Sequence, residues 1–191
     1  MKKLGVLVFM LLLTVLHVQA QDEENEPVKK GFQHANLFLG GNFGLSFGTY
    51  TFVNISPQLG YHFNRYLAAG IGINGQYLSY RDWDYNSNPY REKQTILGLN
   101  VFGRVYPIRN FMLQAQPEVN YRFGKLIYNG PPKLVFRSDA VIVPSLLAGG
   151  GLVLPSGRGE MLITLFYDVL QNKNSPYGKR PIFNFGYNVG L

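Results

Sequence analysis

The chain of 191 residues contains no cysteine. That absence excludes a disulfide framework, a thiolate metal site and a lipid attached through a cysteine thioether. Charged residues are scarce at 15%, and histidines number three. Helical periodicity is missing throughout. The one long apolar run, residues 4–18, is broken by Thr14 and His17 and falls short of the roughly 20 apolar residues of a spanning helix. Clustered positive charge is missing as well. The formal charge is +7, and setting aside Lys2 and Lys3 leaves 16 basic against 11 acidic residues, or +5. These basic residues stand singly, without the patch or stripe a phosphate backbone demands, so no nucleic-acid partner is expected.

What is present begins at the amino terminus. Lys2 and Lys3 precede the apolar run, and Val18-Gln19-Ala20 supplies small residues where a signal peptidase reads. Residues 1–20 therefore read as a secretory signal peptide. Residues 21–34, with Asp22, Glu23, Glu24 and Glu26 ahead of Lys29 and Lys30, read as a flexible periplasmic leader. Residues 35–191 form one domain by ordinary size. Aromatics make up 15% of the chain, and Gly, Asn and Gln fill the positions that Lys and Glu occupy in soluble domains.

From residue 35 the chain resolves into about eight alternating segments: 35–48, 51–63, 67–81, 93–106, 111–127, 139–154, 160–170 and 180–191. Period two puts successive side chains on opposite faces of a strand. In the second segment Val53, Ile55, Pro57, Leu59, Tyr61 and Phe63 oppose Asn54, Ser56, Gln58, Gly60 and His62. In the fifth, Phe111, Leu113, Ala115, Pro117, Val119, Tyr121 and Phe123 oppose Gln114, Gln116, Glu118, Asn120, Arg122 and Gly124. The fourth sets Leu97, Leu99, Val101 and Val105 against Gly98, Asn100 and Arg104, with Phe102 on the polar side. Segment 141–154 is apolar on both parities and takes no orientation from its sequence. In the last, Phe183, Phe185, Tyr187, Val189 and Leu191 share one face against Asn184, Gly186, Asn188 and Gly190. A terminal strand with nothing after it must pair on both edges or leave a sticky edge, and closure into a barrel meets that need.

The expected fold is all-β, an antiparallel up-and-down transmembrane β-barrel of about eight strands. A soluble barrel with an apolar lumen is the competing architecture. Charge placement separates the two. Arg104, Glu118, Arg122 and Asp168 all lie opposite the large aliphatics, on a face otherwise made of Gly, Asn, Gln and Ser, including Asn100 and Asn120. Such a face suits a narrow hydrogen-bonded lumen rather than a solvated exterior. Two charges of each sign predict a salt-bridged lumen network, since a buried carboxylate without a partner costs several kcal/mol. Short turns at 64–65, 107–110 and 155–159 alternate with longer connections at 82–92, 128–138 and 171–179. Only the connection near Thr49 breaks this pattern. Short periplasmic turns and long outer loops are the expected asymmetry.

Two motifs carry little. Gly70-Ile71-Gly72-Ile73-Asn74-Gly75 fits a dinucleotide fingerprint, but strand rather than helix follows it. Asn54-Ile55-Ser56 fits a glycosylation acceptor but lies mid-strand. Of the histidines only His34 and His62 lie beyond the signal peptide, far apart and with no Ser at the spacing of a His-assisted nucleophile. No catalytic, cofactor or metal residues are assigned. Tyr50, Tyr77, Tyr80, Trp83, Tyr85, Tyr90, Tyr128 and Tyr177 cluster toward one rim, and Tyr61, Tyr66, Tyr106 and Phe111 toward the other, as interfacial girdles. Arg91, Lys93, Lys133, Arg137, Lys173, Lys179 and Arg180 give the outer loops a basic excess suited to lipopolysaccharide phosphates.

The signal peptide, the run Asn64-Arg65-Tyr66-Leu67-Ala68-Ala69-Gly70-Ile71-Gly72 and the alternating carboxyl-terminal strand resemble the small, porin-like outer-membrane β-barrel domains of diderm bacteria. The resemblance spans nearly the whole chain after residue 20. It implies an outer-membrane location and contact with outer-membrane lipid. It also implies insertion by the barrel-assembly machinery, guided by Phe183, Phe185, Tyr187, Val189 and Leu191, with Leu191 where such strands end in an aromatic. A structural or loop-mediated binding role, with a plugged lumen and an unidentified external ligand or protein partner, is the leading expectation. A narrow pore is second. A lipid-modifying enzyme ranks third for want of a Ser-His pair.

Overall fold

Alternating segments fold into eight antiparallel strands in a computed structural model, which describes residues 33–46, 50–83, 89–130, 132–177 and 179–191. The expected signal peptide, residues 21–32 of the expected leader, residues 47–49, 84–88 (with Tyr85), 131 and 178 lie outside the described residues. The strands are β1 (Leu37–Ser46), β2 (Tyr50–His62), β3 (Leu67–Trp83), β4 (Pro89–Ile108), β5 (Phe111–Tyr128), β6 (Leu134–Ser156), β7 (Gly159–Asp168) and β8 (Ile182–Gly190). Each pairs with its sequence neighbours, and β1 pairs with β8, giving a closed up-and-down barrel. The seam runs from Phe38 opposite Gly190 to Phe43 opposite Phe185. One further bond extends it, from the Leu191 N–H to the Leu37 carbonyl at 2.9 Å. Closure leaves no edge strand to aggregate.

Face assignments follow parity. Along β5, Leu113, Ala115, Pro117, Val119, Tyr121 and Phe123 are exposed, whereas Met112, Gln114, Gln116, Glu118 and Asn120 are buried. β8 behaves alike, with Phe183, Phe185, Tyr187 and Val189 outside and Asn188 buried. Segment 141–154, silent in the sequence, is now oriented. Val143, Ser145, Leu147 and Val153 face inward, and Ile142, Pro144, Leu146 and Leu152 face out. Both parities read as apolar because the lumen itself holds Val143, Leu147 and Val153.

Strand lengths exceed expectation equally at the β3–β4 hairpin, where β3 runs to Trp83 and β4 starts at Pro89, and at the β5–β6 hairpin. The connection expected over 128–138 shrinks to 129–133, since β5 continues to Tyr128 and β6 starts at Leu134. The reason is a bulge. Arg122 pairs with Val141 but Gly124 pairs with Ser138, so Asp139 and Ala140 together oppose one residue. An inserted residue resets the inside/outside parity of the bulged strand, which hides the period of residues 134–138 from a sequence reading. β4 likewise runs through Pro107 to Ile108, with an irregularity between Val105 and Ile108.

The end bearing both barrel termini has tight turns. Residues 109–110 and 157–158 close two hairpins, and Gly157 has φ +60°, the sign required at the first central position of a type II′ turn. In the β2–β3 turn, Asn64 Oδ1 accepts the N–H groups of Tyr66 and Leu67, each at 2.8 Å. This is an Asx turn, the local bond for which Asn is favoured. At the opposite end the longest described connection, residues 169–181, joins β7 to β8.

Candidate functional site in the barrel interior and at its rim

Inward-facing positions of consecutive strands meet across the narrow lumen in three layers. At the short-turn end lies an apolar layer of Phe38, Ala68, Phe102, Tyr106, Met112, Val153 and Leu162. Phe102, the exception on the polar parity of β4, belongs here, and it is 1% exposed. Its place explains the break in alternation. His62 packs on Phe38 at 4.8 Å and on Tyr106 at 5.7 Å between ring centroids. Tyr106 therefore lines the interior and not the girdle expected for it. Gly60 leaves room for Phe38, because a Cβ at that position would run into its ring.

Arg104 caps this layer. Its guanidinium carbon lies 4.4 Å from the Phe102 centroid and 5.4 Å from that of Phe38. Arginine suits such a place because its flat, weakly hydrated guanidinium stacks on aromatic faces. Its Nε donates to Gln114 Oε1 at 2.7 Å and its Nη2 to Gln58 Oε1 at 2.6 Å.

The middle layer carries the charge onward through amides. Gln114 Nε2 donates to Gln116 Oε1 at 2.7 Å, and Gln116 Nε2 donates to Glu118 Oε2 at 3.2 Å. These three β5 side chains at spacing two thus link the Arg104 cation to the Glu118 carboxylate. Glu118 also accepts from Asn74 Nδ2 at 2.9 Å and Asn120 Nδ2 at 2.6 Å, and Asn100 Nδ2 donates to Asn74 Oδ1 at 2.8 Å. Of the expected network, Arg104, Glu118, Asn100 and Asn120 are brought together. The direct salt bridges are not formed. Among the described residues, the hydrogen bonds of Arg104 and Glu118 all end on neutral side chains, because β4 and β5 place them on different levels of the lumen and glutamines occupy the levels between. Gln58, Gln114, Gln116 and Asn74 are the members absent from the expected set. Their parity beside Glu118 is the signal that identifies them.

Asp168 and Arg122 belong to the third layer, at the long-connection end. Asp168 is fully buried. Its Oδ1 accepts the Leu146 and Leu170 N–H groups, each at 3.2 Å, and its Oδ2 accepts the Ser175 hydroxyl at 2.6 Å. Backbone donors and a serine replace the arginine expected beside it. Arg122 instead holds the connection from the other side, with Nη1 donating to the Asn174 carbonyl at 3.0 Å. Tyr177 turns inward too, its hydroxyl accepting from Gln76 Nε2 at 3.3 Å. It was expected in the aromatic girdle and instead helps the β7–β8 connection cover the mouth. A cavity of about 270 Å³ remains beneath it, bordered by Asn42, Asn54, Asn74 and Gln116.

Basic residues expected in loops divide into two sets. Lys133, Lys173, Lys179 and Arg180 lie in connections, but Arg91 and Lys93 lie on β4 and Arg137 on β6. The extended strands of the β3–β6 wall account for the change. Phe183, Phe185, Tyr187, Val189 and Leu191, expected to form the insertion signal, are all exposed on the outer face of the seam.

No protein-family model and no curated protein matches the chain. Among solved structures, the crystal structure of Neisserial surface protein A matches with a TM-score of 0.45 and 12% identity, over 82% of this chain and 97% of that chain.

Proposed function

We propose that the protein is an integral outer-membrane β-barrel with a lumen plugged by its own side chains, serving a structural role or binding through its outer end. One observation carries this reading: the barrel is inverted relative to a soluble domain. Leu99, Ile142 and Phe183 are 68%, 67% and 70% exposed, while Arg104, Glu118 and Asp168 are buried. A continuous apolar belt of this kind far exceeds the few hundred Å² that soluble monomers leave in water. Hydrocarbon is the solvent that suits it, and a closed ladder meets the demand that every backbone group be satisfied within the bilayer. The short-turn end then faces the periplasm and the β7–β8 connection the exterior, following the loop asymmetry of such barrels.

Eight strands leave an interior just filled by side chains, and the three layers described above support a plug. The apolar layer at the periplasmic end favours a plug over a water path. The cavity of about 270 Å³ under Tyr177 favours the second reading, a narrow pore gated by the β7–β8 connection. A lipid-modifying activity draws no support from His62, whose ring is packed between Phe38 and Tyr106. Membrane fractionation tests the main reading. The protein should resist carbonate extraction and migrate faster on gels unheated than boiled; release by carbonate would refute membrane integration.

A further inference from the structure

Strand register lines up three cations on the outer wall. Lys93 of β4 is directly opposite Lys125 of β5, and Lys125 is directly opposite Arg137 of β6. Lys93 and Lys125 share the outward parity of Leu97 and Phe123, and Arg137, beyond the bulge, pairs onto the same face. The next rung outward adds Arg81 opposite Arg91. Like charges placed directly across neighbouring strands repel, so the arrangement is unfavourable unless an anion lies against it. Among the described residues, no side-chain hydrogen bond or ion pair engages Lys93, Lys125 or Arg137. Asp139, the acid at the adjacent bulge, does not line the groove they form.

That groove, about 700 Å³ in volume, is bordered by the three cations together with Tyr77, Tyr121 and Phe123. Its height is informative. The outward apolar positions of β5 run from Leu113 to Phe123, which at the usual rise and tilt spans a vertical distance of about 25 Å, the height of a membrane barrel's apolar band. The cation row begins at the next outward position, Lys125. It therefore lies at headgroup level, faces sideways along the membrane plane, and is floored by aromatics that prefer the interface. Three strands at normal spacing hold the charges across about 10 Å. A loop-borne site for a soluble ligand would point away from the membrane; this one points into it.

We infer that the Lys93, Lys125 and Arg137 row is a docking site for the phosphate-bearing headgroup of an outer-leaflet glycolipid. The inference rests on the membrane-barrel reading. Cation–phosphate hydrogen bonds supply the attraction, and the Tyr77, Tyr121 and Phe123 floor receives the first methylenes of the acyl chains.

The test uses the full-length protein purified in neutral detergent and native mass spectrometry with three probes: bisphosphorylated lipid A, dephosphorylated lipid A and inorganic phosphate. Wild type should retain bisphosphorylated lipid A and neither of the others. The triple variant Lys93→Gln, Lys125→Gln, Arg137→Gln should bind it about a hundredfold more weakly. A control triple at Lys173, Lys179 and Arg180, each to Gln, should bind as wild type does. Unchanged binding by the first triple, equal loss in both triples, or retention of dephosphorylated lipid A would overturn the proposal. So would saturation by inorganic phosphate alone. Heat-modifiable migration of each variant verifies the fold, and carbonate extraction of wild type reports separately on the membrane reading.

Discussion

Replacing Glu118 probes the lumen most sharply. Its carboxylate is 4% exposed and accepts three amide N–H groups, from Asn120, Asn74 and Gln116 at 2.6, 2.9 and 3.2 Å. Glu118→Ala removes the acceptor from all three. An orphaned buried donor costs about 1–3 kcal/mol, so three donors set a loss of about 3–9 kcal/mol before any relaxation. Removing a desolvated charge recovers several kcal/mol of that, which brings the expected destabilisation to the lower end, about 3 kcal/mol. Glu118→Gln behaves differently. Its amide oxygen keeps the place of Oε2, and its NH₂ meets Asn120, which can turn to present Oδ1, an atom without a partner among the described residues. Three charge-assisted bonds become neutral ones, each about 1 kcal/mol weaker, while the desolvation penalty of the carboxylate, several kcal/mol, disappears. The two effects nearly cancel, leaving a change within about 1 kcal/mol. Urea titration of the protein folded in lipid vesicles, scored by the unheated compact gel band, measures both variants by linear extrapolation. If Ala costs no more than Gln, the amide network contributes nothing and the reasoning fails.

Phe185, paired with Phe43 and Ile163 on the outer face of the seam, should not tolerate charge. Phe185→Lys costs about 2–4 kcal/mol near the bilayer midplane and should deplete the protein from membrane fractions, whereas Asn184→Ser should not; equal effects would mean the faces are reversed. Gly60→Val drives its side chain into the Phe38 ring and should destabilise by about 1–3 kcal/mol through overpacking, read in the same urea titration, while an unchanged midpoint would contradict the packed apolar layer at the short-turn end. Asp168→Ala frees Ser175 and two backbone donors. Trypsin should then cut after Lys173 or Lys179 about tenfold faster with the barrel core intact; an unchanged rate would show that Asp168 does not hold the connection.

The faces of β2, β4, β5 and β8 were legible because, along the apolar band, the amide and small residues fall on one parity and the large aliphatics on the other, with Phe102 the exception. β5 and β8 needed nothing more. The sequence could not orient β6, since Val143, Leu147 and Val153 line a lumen that is locally apolar, and the bulge at Asp139–Ala140 resets the period. The site was legible as a set of inward residues and illegible as a set of pairs. Opposite charges on facing parities suggest salt bridges, but only the axial stagger of the strands reveals that Gln114 and Gln116 stand between Arg104 and Glu118. Tyr106 and Tyr177 misled for a related reason: aromatic residues near a rim resemble a girdle until register shows which way they point. The outer cation row was invisible for want of the same information, because Lys93, Lys125 and Arg137 are far apart in sequence and adjacent only through strand pairing.

The plugged, membrane-spanning barrel is tested most directly by single-channel recording of the purified full-length protein in planar lipid bilayers. A silent membrane after verified insertion is the expected result, for wild type and for a variant lacking residues 171–179 of the β7–β8 connection, since on the proposed reading the Arg104 and Phe102 layers close the short-turn end. Steady, stepwise ion conductance from wild type would contradict a filled lumen and make the protein a pore.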